Sequence, residues 1–329
     1  MRSFGFALGV LVVVVGCSSS DGGSPAYTAD EACTQFVDML CAKVQTCAPT
    51  YLTMGYGDIA TCKTRVMLEC KAGLAAPSTS QTPNDMVACV NDAKTVTCSA
   101  LLDNNPPASC LAKPGGLDEG KPCATDSQCK TAFCAIDDDK EVCGICASKP
   151  GEGGKCNRGK CAQGLKCARN DTCAKAVAEG GACDDAKPCA AGTSCFAGKC
   201  TKDQATEGAV CDPALKTAAG CDGLQGFLCL PGVNKCMKAK VASVGQECGA
   251  DIEAATFTVK SFTICEKGGY CKGVDFEAKP PVFKGTCVQA AADGEACIPE
   301  TDGFKGPGCL EPAECVANVC RLPDASTCK

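Results

Sequence analysis

Cysteine is the residue that most constrains how this chain folds, since 35 of its 329 residues are Cys. A content above about 8–10% in an exported chain is typical of a disulfide scaffold. The first cysteine, Cys17, ends an apolar segment, whereas the other thirty-four lie between Cys33 and Cys328. Thirty-four is an even number, so the sequence allows seventeen disulfides and leaves one cysteine for another use.

The first twenty residues predict export. Arg2 precedes about a dozen apolar residues, which is shorter than the roughly twenty that cross a bilayer and typical of a secretory signal peptide. The tetrapeptide that ends at Cys17, Val-Val-Gly-Cys, resembles a bacterial lipobox, in which cleavage leaves an acylated N-terminal cysteine. We expect a signal peptide over 1–16, a lipid on Cys17 and a flexible tether over 17–27. The alternative is an ordinary secretory signal in which Cys17 has no special role.

The expected location is the cell envelope, with the membrane as a partner through the lipid on Cys17. Ser18 follows the cysteine, as it does in lipoproteins that are transferred to the outer membrane, so we expect the outer membrane. Disulfides persist in such oxidising compartments. The location and the cysteine content therefore agree.

Residues 28–112 predict a disulfide-braced all-α domain with eight cysteines. Helix-start signals occur three times, at the capping box Thr28–Glu31, at Asp58 and at Thr82–Pro83. If the first two helices run antiparallel, their cysteines face each other across a helical hairpin. The disulfides expected on this basis are Cys41–Cys70 and Cys47–Cys62.

Residues 113–329 predict an elongated array of about six small knot-like cysteine modules with short strands. A Gly-x-x-Cys start recurs six times, and turn-forming residues separate the cysteines. Four cysteines per module allow three connectivities. We favour the interlocked one, first to third and second to fourth, which in the third module gives Cys183–Cys195 and Cys189–Cys200. The expected modules cover residues 116–150, 151–178, 179–205, 206–243, 244–292 and 293–329.

Two modules carry a fifth cysteine. The first has Cys143 and Cys146 in addition to three others, and the sixth ends with Cys328. Whether these extra cysteines bond to each other or to neighbouring modules stays open at this point.

The spacing G-x-x-C…C-x5-C over about 115–329 resembles the cysteine-rich repeats of lipoproteins from Gram-negative soil bacteria. Those repeats are similar to the Dickkopf N-terminal cysteine-rich domain, and the helical segment with eight cysteines is similar to their usual companion. The resemblance implies a disulfide-rich fold and a lipoprotein. It does not imply the signalling antagonism of the animal Dickkopf proteins.

The composition argues against catalysis and against nucleic acid. The chain has no histidine, which excludes Ser–His and Cys–His nucleophile pairs and imidazole bases. It has only one Cys-x-x-Cys, so a four-thiolate zinc site is not expected, and we expect neither a cofactor nor an enzyme. With a net charge of −6, no Trp and 5% aromatic residues, it has neither a basic surface nor stacking platforms for bases.

A cluster of phenylalanines gives the one candidate binding patch. It consists of Phe257, Phe262, Phe276 and Phe283, all within the longest module. One interpretation is that these side chains form the local core of a longer insert, and the other is an exposed apolar patch for a partner.

Together these features predict a non-catalytic binding, adhesion or surface-scaffold role, with an extracellular protein or polysaccharide as the ligand. The alternative is an inhibitor of extracellular hydrolases or proteases, because loops clamped by disulfides resist cleavage. A structural spacer without a dedicated ligand is a third possibility.

Overall fold

A computed structural model describes residues 26–136, 142–212, 214–215, 217–230, 233–253, 258–275, 277–298 and 306–328. These residues contain five α-helices, sixteen short β-strands and seventeen disulfides, which is a small disulfide-rich fold. None of the described helices combines the length and the apolar character that a membrane span requires. The expected signal peptide and Cys17 lie outside the described residues.

The five helices come first in the chain. Three begin after residues that the sequence indicated: Thr28 and Glu31 form a reciprocal capping box, and Asp58 and Thr82 accept hydrogen bonds from backbone N–H groups in the first turns that follow them. Phe36, on the first helix, is one of the apolar side chains buried between them. The helices are α1 (Ala29–Cys47), α2 (Pro49–Gly55), α3 (Ile59–Ala75), α4 (Pro83–Ala93) and α5 (Cys98–Leu102).

The expected Cys41–Cys70 and Cys47–Cys62 bonds are wrong. Cys33 and Cys41 on α1 are eight residues apart, about two helical turns, and so are Cys62 and Cys70 on α3. In an antiparallel pair of helices, Cys33 therefore meets Cys70 and Cys41 meets Cys62. The segment between the two helices is not a simple turn, because α2 occupies it. Cys47 is then left at the end of α1 and bonds to the start of α5. The four bridges are Cys33–Cys70, Cys41–Cys62, Cys47–Cys98 and Cys89–Cys110.

The strands follow the helices and form one three-stranded sheet, one five-stranded sheet and four two-stranded hairpins. They are β1 (Pro122–Cys123), β2 (Cys134–Ala135), β3 (Gly144–Cys146), β4 (Leu165–Cys167), β5 (Cys173–Lys175), β6 (Thr193–Phe196), β7 (Lys199–Lys202), β8 (Phe227–Leu230), β9 (Lys235–Lys238), β10 (Lys240–Ala242), β11 (Glu247–Glu253), β12 (Thr258–Cys265), β13 (Tyr270–Lys272), β14 (Lys284–Val288), β15 (Glu314–Val316) and β16 (Val319–Arg321).

Six successive groups of four cysteines each form two interlocked bridges, which we call cystine pairs one to six. The bonds Cys183–Cys195 and Cys189–Cys200 make up pair three, with the connectivity favoured from the sequence. The other pairs are Cys123–Cys134 with Cys129–Cys146, Cys156–Cys167 with Cys161–Cys173, Cys211–Cys229 with Cys221–Cys236, Cys248–Cys271 with Cys265–Cys287, and Cys297–Cys315 with Cys309–Cys320.

The predicted elongated array is wrong, because the segment around each cystine pair contacts the helical part of the chain. The segment of cystine pair six also returns to the segment of cystine pair one, since Cys328 is bonded to Cys143 across a sequence separation of 185. Six contacts to the helical part, one per pair in order, are Gln128 Nε2 to Pro77 O (2.9 Å), Lys166 Nζ to Asp103 (2.9 Å), Ala191 N to Asp103 (2.7 Å), the turn Gly223–Gln225 against α2, Lys267 N to Thr53 O (3.2 Å) and Arg65 Nε to Glu311 O (2.8 Å).

Candidate functional site

The five-stranded sheet around cystine pair five is the largest sheet of the described repeat region. Its strand order is β10-β12-β11-β14-β13, with β10 parallel to β12 and the other neighbours antiparallel. Residues that lie opposite each other on adjacent strands point to the same face of a sheet. The register therefore shows which side chains share each face.

One face of this sheet carries the aromatic residues that the sequence singled out. Phe262 lies opposite Ala250, and the backbone N–H of Ala250 donates to the carbonyl oxygen of Phe283 at 2.8 Å. The two phenylalanines thus flank Ala250, which is only 7% exposed, and both are themselves half-buried. Of the four predicted patch residues, Phe257 and Phe276 lie outside the described residues.

Partial burial suits both interpretations of the aromatic face. Phe262 and Phe283 cover Ala250 as core residues would, yet each retains part of its surface. On the neighbouring edge strand, Val241 lies opposite Ile264 on the same face and is 41% exposed. The structure thus places two predicted residues together beside an exposed aliphatic side chain.

The opposite face of the sheet is polar and concave. We call the depression there the polar cradle, which has a volume of about 180 Å³. A row in register crosses four strands, from Lys240 to Thr263, Gly249 and Lys284, with Ser261 opposite Asp251 beside it. The lining residues are Lys240, Glu247, Cys248, Gly249, Asp251, Ser261, Thr263 and Lys284.

The floor of the polar cradle depends on a glycine. Gly249 has φ +99°, and a Cβ there would lie 2.1 Å from the carbonyl oxygen of Phe283. Only glycine allows β14 to approach β11 so closely at this point. The small side chains of Ser261 and Thr263 continue the floor toward the edge strand.

The charges around the polar cradle are unevenly matched. Lys284 Nζ lies 2.9 Å from Glu247 Oε1 and 3.5 Å from Asp251 Oδ1. Its hydrogen bond to Glu247 and the charge of Asp251 raise the pKa of Lys284. These groups are largely exposed, so solvent screens both ion pairs and each contributes little to stability. Within the described part of the chain, Lys240 makes no ion pair, and it stands at the opposite end of the row.

A second ionisable cluster lies between the helices and cystine pair six. Arg65 Nη1 and Nη2 donate to the two carboxylate oxygens of Asp293 at 2.6 and 2.7 Å, and Arg65 also binds the carbonyl oxygens of Leu310 and Glu311. The hydroxyl of Tyr51 donates to the carboxylate of Glu311. These contacts satisfy one another and join two parts of the fold, so they indicate a structural role.

Glu69 is the unusual member of this cluster. Burial raises the pKa of its carboxyl to about 7, against the lowering effect of the positive charge on Lys160, while the negative charges of Glu311 and Glu314 raise it further. Burial is also the main reason that the pKa of Tyr51 and that of Tyr56 are raised. The chain has no His, and the thirty-four cysteines in the described part of the chain are all disulfide-bonded, so these residues offer neither an imidazole nor a thiolate to act with Glu69 and the tyrosines.

A larger depression of about 420 Å³ lies between α1 and α4. Met39, Ala42 and Val90 contribute its apolar surface, and Lys43 at its rim donates to the carbonyl oxygen of Val96 at 2.6 Å. It is more open to solvent than the polar cradle, and its charged side chains are already engaged within the protein: Asp38 with Lys63, Lys43 with the carbonyl oxygen of Val96, and Lys94 with Asn91. The polar cradle is therefore the better candidate site.

The polar cradle was not predicted from the sequence, although the sequence contains a signal for it. The alternation in Thr256–Ile264 is typical of a strand, in which Phe262 and Ile264 share one face. Ser261 and Thr263 alternate with these two residues and therefore point to the other face. What the sequence lacked was the pairing of this strand with β10 and β11.

Comparison with known proteins found no match, whether the chain was compared with protein-family models, with curated proteins or with solved structures.

Proposed function

We propose that the chain is a non-catalytic binding protein of the bacterial cell envelope, anchored at the outer membrane by a lipid on Cys17. Residues 28–112 form an all-α domain in this proposal, and residues 113–329 form six cystine modules around it. The lipobox-like sequence before Cys17 and the seventeen disulfides support a protein that is exported to an oxidising compartment.

The observation that carries this proposal is the closed, cross-linked arrangement of the repeat region. Each cystine pair contacts the helical part, and Cys143–Cys328 joins the first pair's segment to the last. Such a scaffold holds its exposed surfaces in fixed positions, which lowers the entropy lost when a ligand binds. The fold therefore favours a binding role over a spacer role, because an extended chain could span the same distance with fewer cross-links.

The test uses the mature lipoprotein, solubilised in detergent and immobilised through its lipid. We expect it to retain extracellular polysaccharide or protein from envelope preparations, and to leave protease activity unchanged at equimolar amounts. Palmitate labelling of wild type and of Cys17→Ser tests the anchor separately, and we expect label only in the wild type.

Two results would decide against the proposal. Stoichiometric loss of protease activity would favour the inhibitor, which the rigid loops also permit. Failure to retain any envelope component, together with unchanged proteases, would favour the spacer. A wild-type protein without palmitate label would remove the anchor but not the binding function.

A further inference from the structure

We propose that the polar cradle on the five-stranded sheet binds an acidic saccharide, with the sugar carboxylate at Lys240 and the sugar hydroxyls at Ser261, Thr263 and Asp251. This inference rests on the proposed binding function and specifies its ligand class. The polar cradle is separate from the aromatic face, because the two sets of residues alternate along β11 and β12.

The size of the polar cradle suits one sugar ring with its substituents. Its volume of about 180 Å³ equals the liquid volume of about six water molecules. Adjacent strands are about 4.8 Å apart, so the backbones at Lys240 and Lys284 are separated by roughly 14 Å across three strand spacings. Thr263 and Gly249 lie between them, which leaves a low floor bounded by two long cationic side chains.

The charge pattern selects a ligand with one negative group beside several hydroxyls. Lys284 is already paired with Glu247 and Asp251, whereas Lys240 makes no ion pair with any described carboxylate. A polyphosphate would approach Lys240 but would be repelled by the two acids at the other end. Those acids instead suit hydroxyl donors, which a saccharide offers and a phosphate chain does not.

The hydrogen-bonding groups in the polar cradle also favour a saccharide over an acidic peptide. The hydroxyls of Ser261 and Thr263 can donate or accept, and the carboxylate of Asp251 accepts. A sugar presents several adjacent hydroxyls that match this mixture. An acidic peptide presents mainly carboxylate acceptors, for which Glu247 and Asp251 are unfavourable neighbours.

The experiment is calorimetric titration of the full mature chain with three acidic saccharides that each carry a single carboxylate: galacturonic acid, mannuronic acid and sialyllactose. Maltohexaose is the neutral comparison, and oligoglutamate is the peptide comparison. We expect at least one acidic saccharide to bind and the neutral sugar and the peptide to bind at least tenfold more weakly.

Variants then locate the site. Lys240→Ala removes the charged partner and should weaken binding about ten- to a hundredfold, the usual effect of losing a hydrogen bond to a charged group. Thr263→Val keeps the shape and should weaken binding about threefold to tenfold. Lys202→Ala, an exposed lysine on β7, is the matched control and should bind like the wild type. Circular dichroism checks that each variant is folded.

The inference is overturned if none of the three acidic saccharides binds, if Lys240→Ala binds as tightly as Lys202→Ala, or if oligoglutamate binds at the polar cradle as tightly as the sugars. Retention of envelope components by the immobilised protein distinguishes the two levels of failure. If retention persists while all three sugars fail, the ligand class is wrong and the binding function stands. If both fail, the binding function is wrong as well.

Discussion

The bond between Cys143 and Cys328 should contribute more to stability than any other disulfide, because it closes the longest loop. The chain-entropy relation gives about 4.7 kcal/mol for a loop of 100 residues and about 5 kcal/mol for the sequence separation of 185 seen here. Ten other bridges lie within this loop and shorten it. Even halving its effective length lowers the contribution by only about 0.6 kcal/mol.

The perturbation is the double substitution Cys143→Ser with Cys328→Ser. Both cysteines are partly exposed, so their loss should leave no cavity in a core. Each cystine pair keeps its own two bridges, and we therefore expect the variant to fold but to unfold with a free energy about 4–5 kcal/mol lower than that of the wild type. Ser326→Ala, two residues from Cys328, is the control; it removes only an exposed hydrogen bond to Asp324 and should lower the free energy of unfolding far less than the double substitution.

The assay is urea unfolding under non-reducing conditions, followed by tyrosine fluorescence. The chain has no Trp, and two of its four tyrosines, Tyr51 and Tyr56, lie where the helices meet the segment of cystine pair six. Peptide mapping of the unreduced wild type must find the Cys143–Cys328 bond. If the free energy of unfolding of the double variant is less than about 1 kcal/mol below that of the wild type, the closed arrangement is refuted as a source of stability.

Three further perturbations test other contacts. The carboxyl of Glu69 keeps its proton up to about pH 7 in the folded protein, whereas its ordinary pKa is 4.5; stability should thus fall by up to about 3 kcal/mol between these pH values. Glu69→Gln should abolish that fall in urea unfolding at pH 4.5 and 7.5, and an unchanged pH slope would contradict it. Arg65→Ala should lower the free energy of unfolding by about 2–5 kcal/mol in the same assay, and it should increase hydrogen exchange in the segment around Asp293. Phe262→Ser with Phe283→Ser should abolish partner binding at unchanged yield if the aromatic face is a patch, and a collapse in yield identifies it as core.

The helix starts could be predicted because their signals are local. The reciprocal hydrogen bonds of Thr28 and Glu31 involve residues three apart, and Asp58 and Thr82 likewise act on the first turns that follow them. The helix α2 has a weaker signal, because Ala48 precedes it and provides no side-chain cap, which leaves Pro49 in its first turn as the start signal. Missing this short helix was enough to shift the expected pairing of α1 with α3.

The interlocked bridges could be favoured but not fixed from the sequence, because all three connectivities of four cysteines close short loops. In pair three, both bridges span 11 or 12 residues, and the hairpin β6–β7 places Cys195 opposite Cys200. Neighbouring cysteines on a two-stranded hairpin cannot avoid close approach, and the interlocked connectivity accommodates all four sulfurs around one small core. Local spacing therefore limits each module to three connectivities, and the folded arrangement of the hairpin selects among them.

The path between the cystine pairs could not be predicted from spacing, because it depends on contacts far apart in sequence. The segments are joined by short linkers that would allow either an extended or a closed path. The path is determined by contacts such as that of Arg65 with Asp293, which are 228 residues apart in sequence. A bidentate ion pair with Arg65 only 11% exposed fixes direction as well as distance. The same closure places β11 and β12 on a sheet held against α2 through Lys267 and Thr53. A change at the Cys143–Cys328 bond should thus reach the polar cradle only by loosening this packing, and not by altering its lining residues.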